Sequence, residues 1–308
     1  MNILITGGSG LVGKGLNEVF MNSENNCIFL SSKDCNLIDY KETFQLFEKI
    51  KPDYVIHCAA NVGGLFKNMN NKVQMFEDNM LMTMNVFKCC HYFKVKKVIN
   101  LLSTCIFPDK VSYPINENDL HHGPPHFSND AYAYAKRNGE ILAQAYNNQY
   151  NMNIINIIPT NIYGKHDNFS LKDGHVIPAL IHKCYLAKKE KKPFVICGSG
   201  TPLRQFIYNI DLANCIKHIL FHYDQKESII CSPNDEVSIG EIGKKIAQLF
   251  NYEEHIVFDT SFSDGQFKKT ASNKKLLSIY PDIQFTSLDI GLKNSVQWFI
   301  ENYNQVRK

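Results

Sequence analysis

The sequence predicts an α/β protein built on a doubly wound parallel sheet, with a smaller α+β part in the second half of the chain. Two observations predict the sheet: short apolar runs alternate with amphipathic stretches of helical length, and a glycine-rich turn follows the first run. The second part is predicted because this alternation stops near Gly164. Parallel strands need long crossover connections, and the alternating order of elements supplies them.

Five apolar runs in the first half have the length of buried strands. They are Ile3–Ile5, Cys27–Leu30, Tyr54–His57, Val98–Leu102 and Ile154–Ile158. The helical stretches between them are Val12–Met21, Tyr40–Lys49, Asn71–Phe93 and Asp130–Tyr150. The apolar stretch Phe206–Leu220 predicts a return to sheet. We therefore expect a large domain of residues 1–164 plus 205–233 and a smaller domain of 165–204 plus 234–308.

Composition narrows the classes of function. The chain has 308 residues and a net charge of +3, which is too small to indicate nucleic acid. Its ten cysteines include no C-x-x-C pair, so neither a disulfide framework nor a zinc site is indicated. We find no signal peptide and no apolar run of membrane-spanning length. The sequence predicts a cytoplasmic protein with no membrane or nucleic-acid partner.

A glycine-rich turn joins the first predicted strand to the first predicted helix. It reads "TGGSGLVG", a T-G-x-x-G-x-x-G pattern. Glycines there let the backbone approach a pyrophosphate, and the start of the helix offers N–H donors to the phosphates. We expect a dinucleotide site rather than a merely close-packed turn. The expected contacts are Gly7, Gly8, Ser9, Gly10, Leu11, Val12 and Gly13.

The end of the second predicted strand indicates which dinucleotide binds. An NAD site usually has an acidic residue there, to hold the ribose 2′-hydroxyl. This chain has Ser31, Ser32 and Lys33 instead, and Asp34 comes too late. Two hydroxyls and a cation suit a 2′-phosphate, so the sequence favours NADP(H).

Other polar segments carry weaker signals. Asp39 and Ala59 lie in segments expected to line the adenine and the nicotinamide ribose. His57, close to Ala59, is expected to be a core histidine. The pair His121 and His122 has no further residues at metal-ligand spacing, so we expect a surface loop and no metal.

Three residues form a candidate proton-transfer set. Tyr132 and Lys136, in "YAYAK", lie four residues apart on one face of a helix. An ammonium group beside a phenol is expected to lower the pKa of the phenol towards neutrality. Ser103 follows a strand, at the edge where parallel sheets bind ligands, and is a second donor to a carbonyl oxygen.

With the glycine turn, "HCAA", the strand-end serine and Y-x-x-x-K in place, the chain resembles the extended short-chain dehydrogenase/reductase family over nearly its whole length. The resemblance implies a Rossmann domain that binds the cofactor and a nucleotide-sugar substrate bound between two domains. It also implies a homodimer formed through the helices near 71–93 and 131–150. Further cofactor contacts that it implies are Pro159, Thr160, Asn161 and Ile162.

Several motifs are similar to one branch of that family, which converts GDP-4-keto-6-deoxy-D-mannose to GDP-L-fucose by epimerising C3 and C5 and then reducing C4 with NADPH. They are "STCIFPD", "AANVGGLF", "PTNIYGKHDNF", "DGHVIPALIHK", "GSGTPLRQFIY" and "SDGQFKKTASN". By motif position the resemblance implies that Cys105 is the epimerisation base and His175 the acid. The substrate contacts that it implies are Lys183, Cys197, Arg204, Asp264 and Lys268. Cys197 stands where a tryptophan often precedes the "GSG" loop.

Alternatives remain at this point. Taken alone, Cys105 would be a small buried hydrophobic residue, which is the usual fate of a free cysteine. A different nucleotide-sugar epimerase or reductase with tightly held NAD is the rival enzyme. A catalytically silent NADP-binding module is the rival from another class, although such modules tend to lose the tyrosine or the lysine, and both are present here.

Overall fold

The computed structural model describes residues 1–262 and 264–308, with the backbone alone at Leu65 and Phe66. Ser263, which begins the motif "SDGQFKKTASN", and the two side chains that end "AANVGGLF" lie outside the described residues.

The described elements follow the predicted order. The strands are β1 (Asn2–Thr6), β2 (Asn26–Leu30), β3 (Tyr54–His57), β4 (Lys97–Leu101), β5 (Ile154–Pro159), β6 (Asn161–Tyr163), β7 (Phe194–Cys197), β8 (Leu203–Arg204), β9 (Phe206–Tyr208), β10 (Ile229–Cys231), β11 (Val237–Ser238) and β12 (Ile256–Asp259). The α-helices are α1 (Leu11–Phe20), α2 (Tyr40–Ile50), α3 (Leu65–Asn70), α4 (Lys72–Tyr92), α5 (Asp130–Tyr150), α6 (Val176–Glu190), α7 (Asn209–His222), α8 (Ile239–Leu249), α9 (Lys274–Ile279) and α10 (Leu288–Glu301). Every strand and helix predicted before Gly164 is present, with ends that differ by at most one residue.

Six strands form one parallel sheet, in the order β2-β1-β3-β4-β5-β10. The chain runs outward from β1 to β2 and returns to β3 on the other side of β1. The strand order therefore reverses between β1 and β3, which is the place where α/β sheets bind ligands. The predicted fold class is confirmed.

Both faces of this large sheet are buried. Ile3 and Ile5 of β1 belong to the apolar cluster that includes residues of α1 and α7. Leu4, between them, belongs to the cluster on the opposite face, with residues of α2, α4 and α5. Because successive side chains of a strand point to opposite faces, a strand covered on both faces is apolar throughout. This is why the strands appear in the sequence as continuous apolar runs.

The prediction of sheet over Phe206–Leu220 is wrong for most of that stretch. Only Phe206–Tyr208 is a strand, and Asn209–His222 is helix α7. Leu212, Ile216 and Ile219 of this helix are fully buried. A short apolar run cannot be assigned to helix or strand by periodicity alone, and α7 is such a case.

The second part of the chain has its own core. Strands β7 and β12 pair in parallel, β8 and β11 pair antiparallel, and β6 and β9 pair in parallel. Tyr163, Phe169, Phe194 and Phe299 belong to the cluster that these elements share with α6, α8 and α10. The domain boundaries at 164, 205 and 233 stay a prediction. No helix of the described chain combines the length and the apolar character needed to cross a bilayer.

Candidate active site

The glycine turn lies at the reversal of strand order. Gly7 has φ +71°, and a Cβ there would come within 2.8 Å of the backbone nitrogen of Ala59. A Cβ at Gly13 would lie 2.4 Å from the Gly7 carbonyl oxygen. At Gly10 an added Cβ would meet only that carbonyl oxygen, at 3.2 Å. The turn is therefore tight where it touches β3 and the helix, and open beside Gly10.

Two features of this region fit a dinucleotide. Helix α1 has Gly10 at its N-cap with no side-chain capping bond, and its first turn has no acidic residue. The first N–H groups of α1 are thus left to a phosphate. The Oγ1 of Thr160, after β5, is buried and has no hydrogen-bond partner among the described residues.

The end of β2 differs in one respect from the expected phosphate site. Ser31 donates to Asp34 Oδ2 from both its backbone nitrogen and its hydroxyl, at 2.8 and 2.6 Å. The Ser31 hydroxyl is therefore engaged. Ser32 and Lys33 are exposed and available to a 2′-phosphate. Asp39 caps helix α2 by accepting from Glu42 N at 3.0 Å.

The loop after β3 supports the glycine turn. Ala59 N donates to Thr6 Oγ1 at 3.2 Å, which fixes Ala59 against Gly7. His57 is fully buried and its Nδ1 lies 2.8 Å from Thr6 Oγ1. Burial lowers the pKa of His57 to about 3, so it is a neutral core histidine, as expected.

The structure brings four of the five predicted catalytic residues together. Ser103 follows β4, and its Oγ accepts from Cys105 N at 3.4 Å. Lys136, on α5, is buried and donates to the carbonyl of Leu101, two residues before Ser103, at 2.9 Å. Tyr132, one turn earlier on α5, packs against the apolar cluster that contains Cys105.

The expectation that Lys136 lowers the pKa of Tyr132 is wrong in this structure. Burial raises the pKa of Tyr132, and the nearby Cys105 raises it further. The Lys136 ammonium donates to Leu101 instead of to the phenol. Tyr132 is therefore a neutral phenol at physiological pH, which is the form that donates a proton.

Cys105 lies in a short 3-10 turn, Thr104–Ile106, directly after Ser103. Its side chain is 8% exposed, and burial raises the pKa of its thiol. The charge of Lys269 is the largest influence in the opposite direction, ahead of Ser103 and Lys136. Arg137 holds this turn by donating to Ile106 O from Nε at 2.9 Å.

His175 lies on the loop before helix α6. It is exposed, and its side chain does not cap that helix. Within the described chain no hydrogen bond joins His175 to Cys105. Its loop is attached to the loop after β3, because Gly64 N donates to Asp173 O at 3.0 Å.

The predicted substrate residues lie on the second part of the chain. Lys183 Nζ is 3.3 Å from Cys197 Sγ. Asp264 accepts from both the backbone nitrogen and the hydroxyl of Ser199, at 2.7 and 2.8 Å, which ties its loop to the "GSG" turn. Arg204 and Lys268 already have protein partners. Arg204 donates to Gln266 O at 2.6 Å, and Lys268 lies 3.2 Å from Glu236.

Sequence reasoning missed two polar residues near Cys105, the buried Gln205 and the half-buried Lys269. Gln205 accepts from Ala271 N at 2.8 Å and donates to Ala271 O at 3.2 Å. Lys269 interacts electrostatically with Cys105. Both lie inside motifs quoted above, "GSGTPLRQFIY" and "SDGQFKKTASN", but neither was singled out there, and in "FKKTAS" nothing distinguishes Lys269 from Lys268. The β-bridge between Ala271 and Ile115 fixes which way each of the two lysines points. That bridge is visible only in the folded structure.

Each histidine of the pair lies beside a carboxylate. His121 lies 3.1 Å from Glu140, and His122 lies 3.6 Å from Asp119. Over the described ranges no three His, Cys, Asp or Glu side chains are grouped so as to hold a metal.

Comparison with known proteins gives consistent matches. Residues 3–240 match the NAD dependent epimerase/dehydratase family. The chain is 50% identical to the GDP-L-fucose synthase of Dictyostelium discoideum, over 99% of this chain and 97% of that protein. It is 32% identical to the GDP-L-fucose synthase of Escherichia coli, over 99% and 98%. A GDP-L-fucose synthetase of Naegleria fowleri, solved bound to NADP, superposes with a TM-score of 0.95 at 48% identity, over 100% of this chain and 95% of that chain.

Proposed function

This chain belongs to the NAD dependent epimerase/dehydratase family and, within it, to the GDP-L-fucose synthases, and on that premise we propose how its residues divide the reaction. It is a bifunctional epimerase and NADP(H)-dependent 4-reductase. We assign GDP-4-keto-6-deoxy-D-mannose as the substrate and GDP-L-fucose as the product. The observation that carries the assignment is the grouping of Ser103, Cys105, Tyr132 and Lys136 at the end of β4.

Epimerisation is assigned to Cys105 and His175. The 4-ketone acidifies the protons on the neighbouring carbons C3 and C5. The thiolate of Cys105 removes a proton from one face, and His175 returns a proton to the opposite face. Ser103 and Tyr132 donate hydrogen bonds to the enolate oxygen, where the negative charge collects.

Reduction uses the same oxygen. Bound at the glycine turn, NADPH supplies the hydride for C4. Tyr132 donates the proton to the oxygen, and its raised pKa keeps that proton available. Lys136 contributes a fixed cation one helical turn from Tyr132. One set of donors serves both steps because both place negative charge on the same atom.

We further propose a homodimer formed through α4 and α5. These helices pack against each other and leave large apolar side chains exposed. They are Val73, Phe76, Leu81 and Tyr92 on α4, and Tyr134, Ile141 and Tyr150 on α5. Light scattering on the purified protein is expected to give twice the chain mass, and Ile141→Lys to give a monomer. A wild-type monomer would refute this interface.

We place the protein in the cytoplasm. All ten cysteines are free thiols. Cys197 is exposed, and the other nine, including Cys105, are buried or half-buried. Free cysteines in this number suit a reducing compartment. Fractionation of the native cells would test the assignment, and recovery with secreted proteins would contradict it.

The test of the mechanism separates the two half-reactions. In D2O without NADPH, the wild type is expected to introduce deuterium at C3 and C5, and Cys105→Ser is expected not to, because a hydroxyl is a far weaker base at pH 7. With NADPH, Cys105→Ser is expected to yield slowly the unepimerised 6-deoxyhexose. His175→Gln still permits deprotonation, so any exchange that survives is expected to retain configuration.

The control is Cys27→Ser, which changes a half-buried cysteine on β2, the far edge strand from this site. It is expected to behave as the wild type in both assays. Exchange at the wild-type rate in Cys105→Ser would show that Cys105 is a packing residue and that the base lies elsewhere.

A further inference from the structure

We propose that Lys269 is a positioning residue for epimerisation: its ammonium group faces the Cys105 side chain and favours the thiolate that removes the substrate proton. The inference rests on the proposed role of Cys105 as the base. It concerns the charge state of that thiol.

The direction of the Lys269 side chain follows from its neighbours. Lys268 Nζ lies 3.2 Å from Glu236 Oε2, and Thr270 Oγ1 donates to Glu236 Oε1. Residues 268 and 270 therefore point to the same side of the chain. Ala271 points to the other side, into the buried cluster that contains Cys105. Side chains alternate along an extended segment, so Lys269 lies on the Cys105 side with Ala271.

The segment that carries Lys269 is anchored on both sides. Ile115 N donates to Thr270 O at 2.8 Å, and Ser272 N donates to Ile115 O at 2.7 Å. On the preceding side, the Tyr113 hydroxyl donates to Lys268 O at 2.6 Å. The backbone of residue 269 is thus held against the loop that follows the Cys105 turn.

Among the described residues, the charge of Lys269 is not paired at contact distance. Throughout residues 1–262 and 264–308, no hydrogen bond or ion pair engages its ammonium group. The adjacent carboxylate, Glu236, is occupied by Lys268 and Thr270. The other charged groups that act on Lys269 are Arg204 and Asp109, of opposite sign to each other.

The thiol and the ammonium each favour the charged form of the other. Burial lowers the pKa of Lys269, and Cys105 raises it again. Burial raises the pKa of Cys105, and Lys269 opposes this most strongly. The other groups that face Cys105 are Lys136, Arg137 and Tyr132.

The other two cations facing the thiol are already committed. Lys136 donates to Leu101 O, and Arg137 donates to Ile106 O and Gly123 O. A buried anion is costly unless it is paired. Lys269 is therefore the cation whose N–H donors remain free to pair with the Cys105 thiolate when it forms.

The experiment measures the thiolate of Cys105 directly in the full-length enzyme. The rate of Cys105 alkylation by iodoacetamide is followed against pH, and peptide mass spectrometry resolves it from the other cysteines. Lys269→Gln is expected to raise the midpoint and to slow alkylation at pH 7.5 about tenfold, as for loss of one opposite charge nearby. Lys269→Arg is expected to stay near the wild type.

Lys268→Gln is the matched control, because it removes the adjacent lysine on the opposite side of the chain. It is expected to leave the midpoint unchanged. An unchanged midpoint in Lys269→Gln would overturn the proposal, and so would an equal shift in Lys268→Gln. A shift in Lys269→Gln alone shows that Lys269 favours the Cys105 thiolate. If Cys105→Ser still exchanged C3 and C5 at the wild-type rate, Cys105 would not be the base, and the role of Lys269 in epimerisation would be overturned with it while the charge interaction would stand.

A second readout excludes a purely structural or substrate-binding effect. Deuterium exchange into the keto sugar by Lys269→Gln is expected to fall at pH 7 and to recover as pH rises towards the new thiol midpoint. An exchange rate reduced by the same factor at every pH would overturn the proposal.

Discussion

Replacing Lys136 by Met is expected to change how folding stability depends on pH. Lys136 is 4% exposed, and burial lowers its pKa from 10.5 to about 8. This difference corresponds to about 3 kcal/mol. Below pH 8, where Lys136 is charged in the folded protein, the folded state is destabilised by this amount.

The sign follows from proton binding. Between pH 8 and 10.5 the unfolded chain holds a proton on Lys136 that the folded protein has released. The free energy of unfolding therefore rises with pH through this window, by up to about 3 kcal/mol from this residue. In Lys136→Met that rise is absent.

The variant also loses the bond from Lys136 Nζ to Leu101 O, which costs about 1–3 kcal/mol because the buried carbonyl is left unpaired. At pH 7 Lys136→Met is thus expected to match the wild type or to exceed it by up to about 2 kcal/mol, by difference of the two effects. Near pH 10.5 it is expected to be the less stable protein. The two stability curves cross.

Chemical denaturation under reducing conditions, followed by the fluorescence of the single tryptophan, measures both curves. Lys97→Met is the control, since Lys97 is another buried lysine but is paired with Asp224 at 2.9 Å. It is expected to be less stable than the wild type at every pH, without a crossing. Parallel curves for the wild type and Lys136→Met would refute the lowered pKa of Lys136.

Three further predictions concern the cofactor and the proton donor. Lys33→Ala is expected to weaken NADPH binding about ten- to a hundredfold and NADH binding little, because it removes a charge-assisted contact to the 2′-phosphate. Equal losses of affinity for the two cofactors in fluorescence titrations would contradict this. Tyr132→Phe is expected to abolish NADPH oxidation with the keto sugar but to keep NADPH binding, and more than a few per cent of residual activity would show that the donor is misassigned. Gly13→Ala is expected to lose NADPH binding and thermal stability, because its Cβ would lie 2.4 Å from Gly7 O. The control Gly123→Ala, whose Cβ would have its nearest contact at 3.5 Å, is expected to change neither.

The large sheet was predictable because most of its strands are buried on both faces. Strands such as Ile154–Pro159 are apolar at nearly every position, and the helices between them show a helical period. Helix α7 was not predictable by the same rule, because a helix buried on most sides also reads as an apolar run. The local sequence pattern indicates how much of an element's surface is buried. It indicates less directly whether that element is a helix or a strand.

The members of the site were predictable where local spacing decides. Tyr132 and Lys136 share one helix face, and Ser103 ends a strand. Their electrostatics were not predictable, because the pKa of Tyr132 depends on burial by segments distant in sequence. Lys269 was missed for the same reason, since its orientation depends on the pairing of Ile115 with Ala271.

Strand β10, at one edge of the large sheet, is synthesised long after the strand it pairs with, and this affects folding during synthesis. A ribosome releases β1 to β5 long before Ile229–Cys231 can pair with Ile157–Pro159. Until then β5 presents an open edge, and the apolar face of α1 lacks its cover of α7. Open edges and bare apolar faces are the surfaces through which nascent chains aggregate. Premature termination near residue 164 is therefore expected to yield insoluble fragments, and slow translation between 164 and 231 to increase the demand for chaperones.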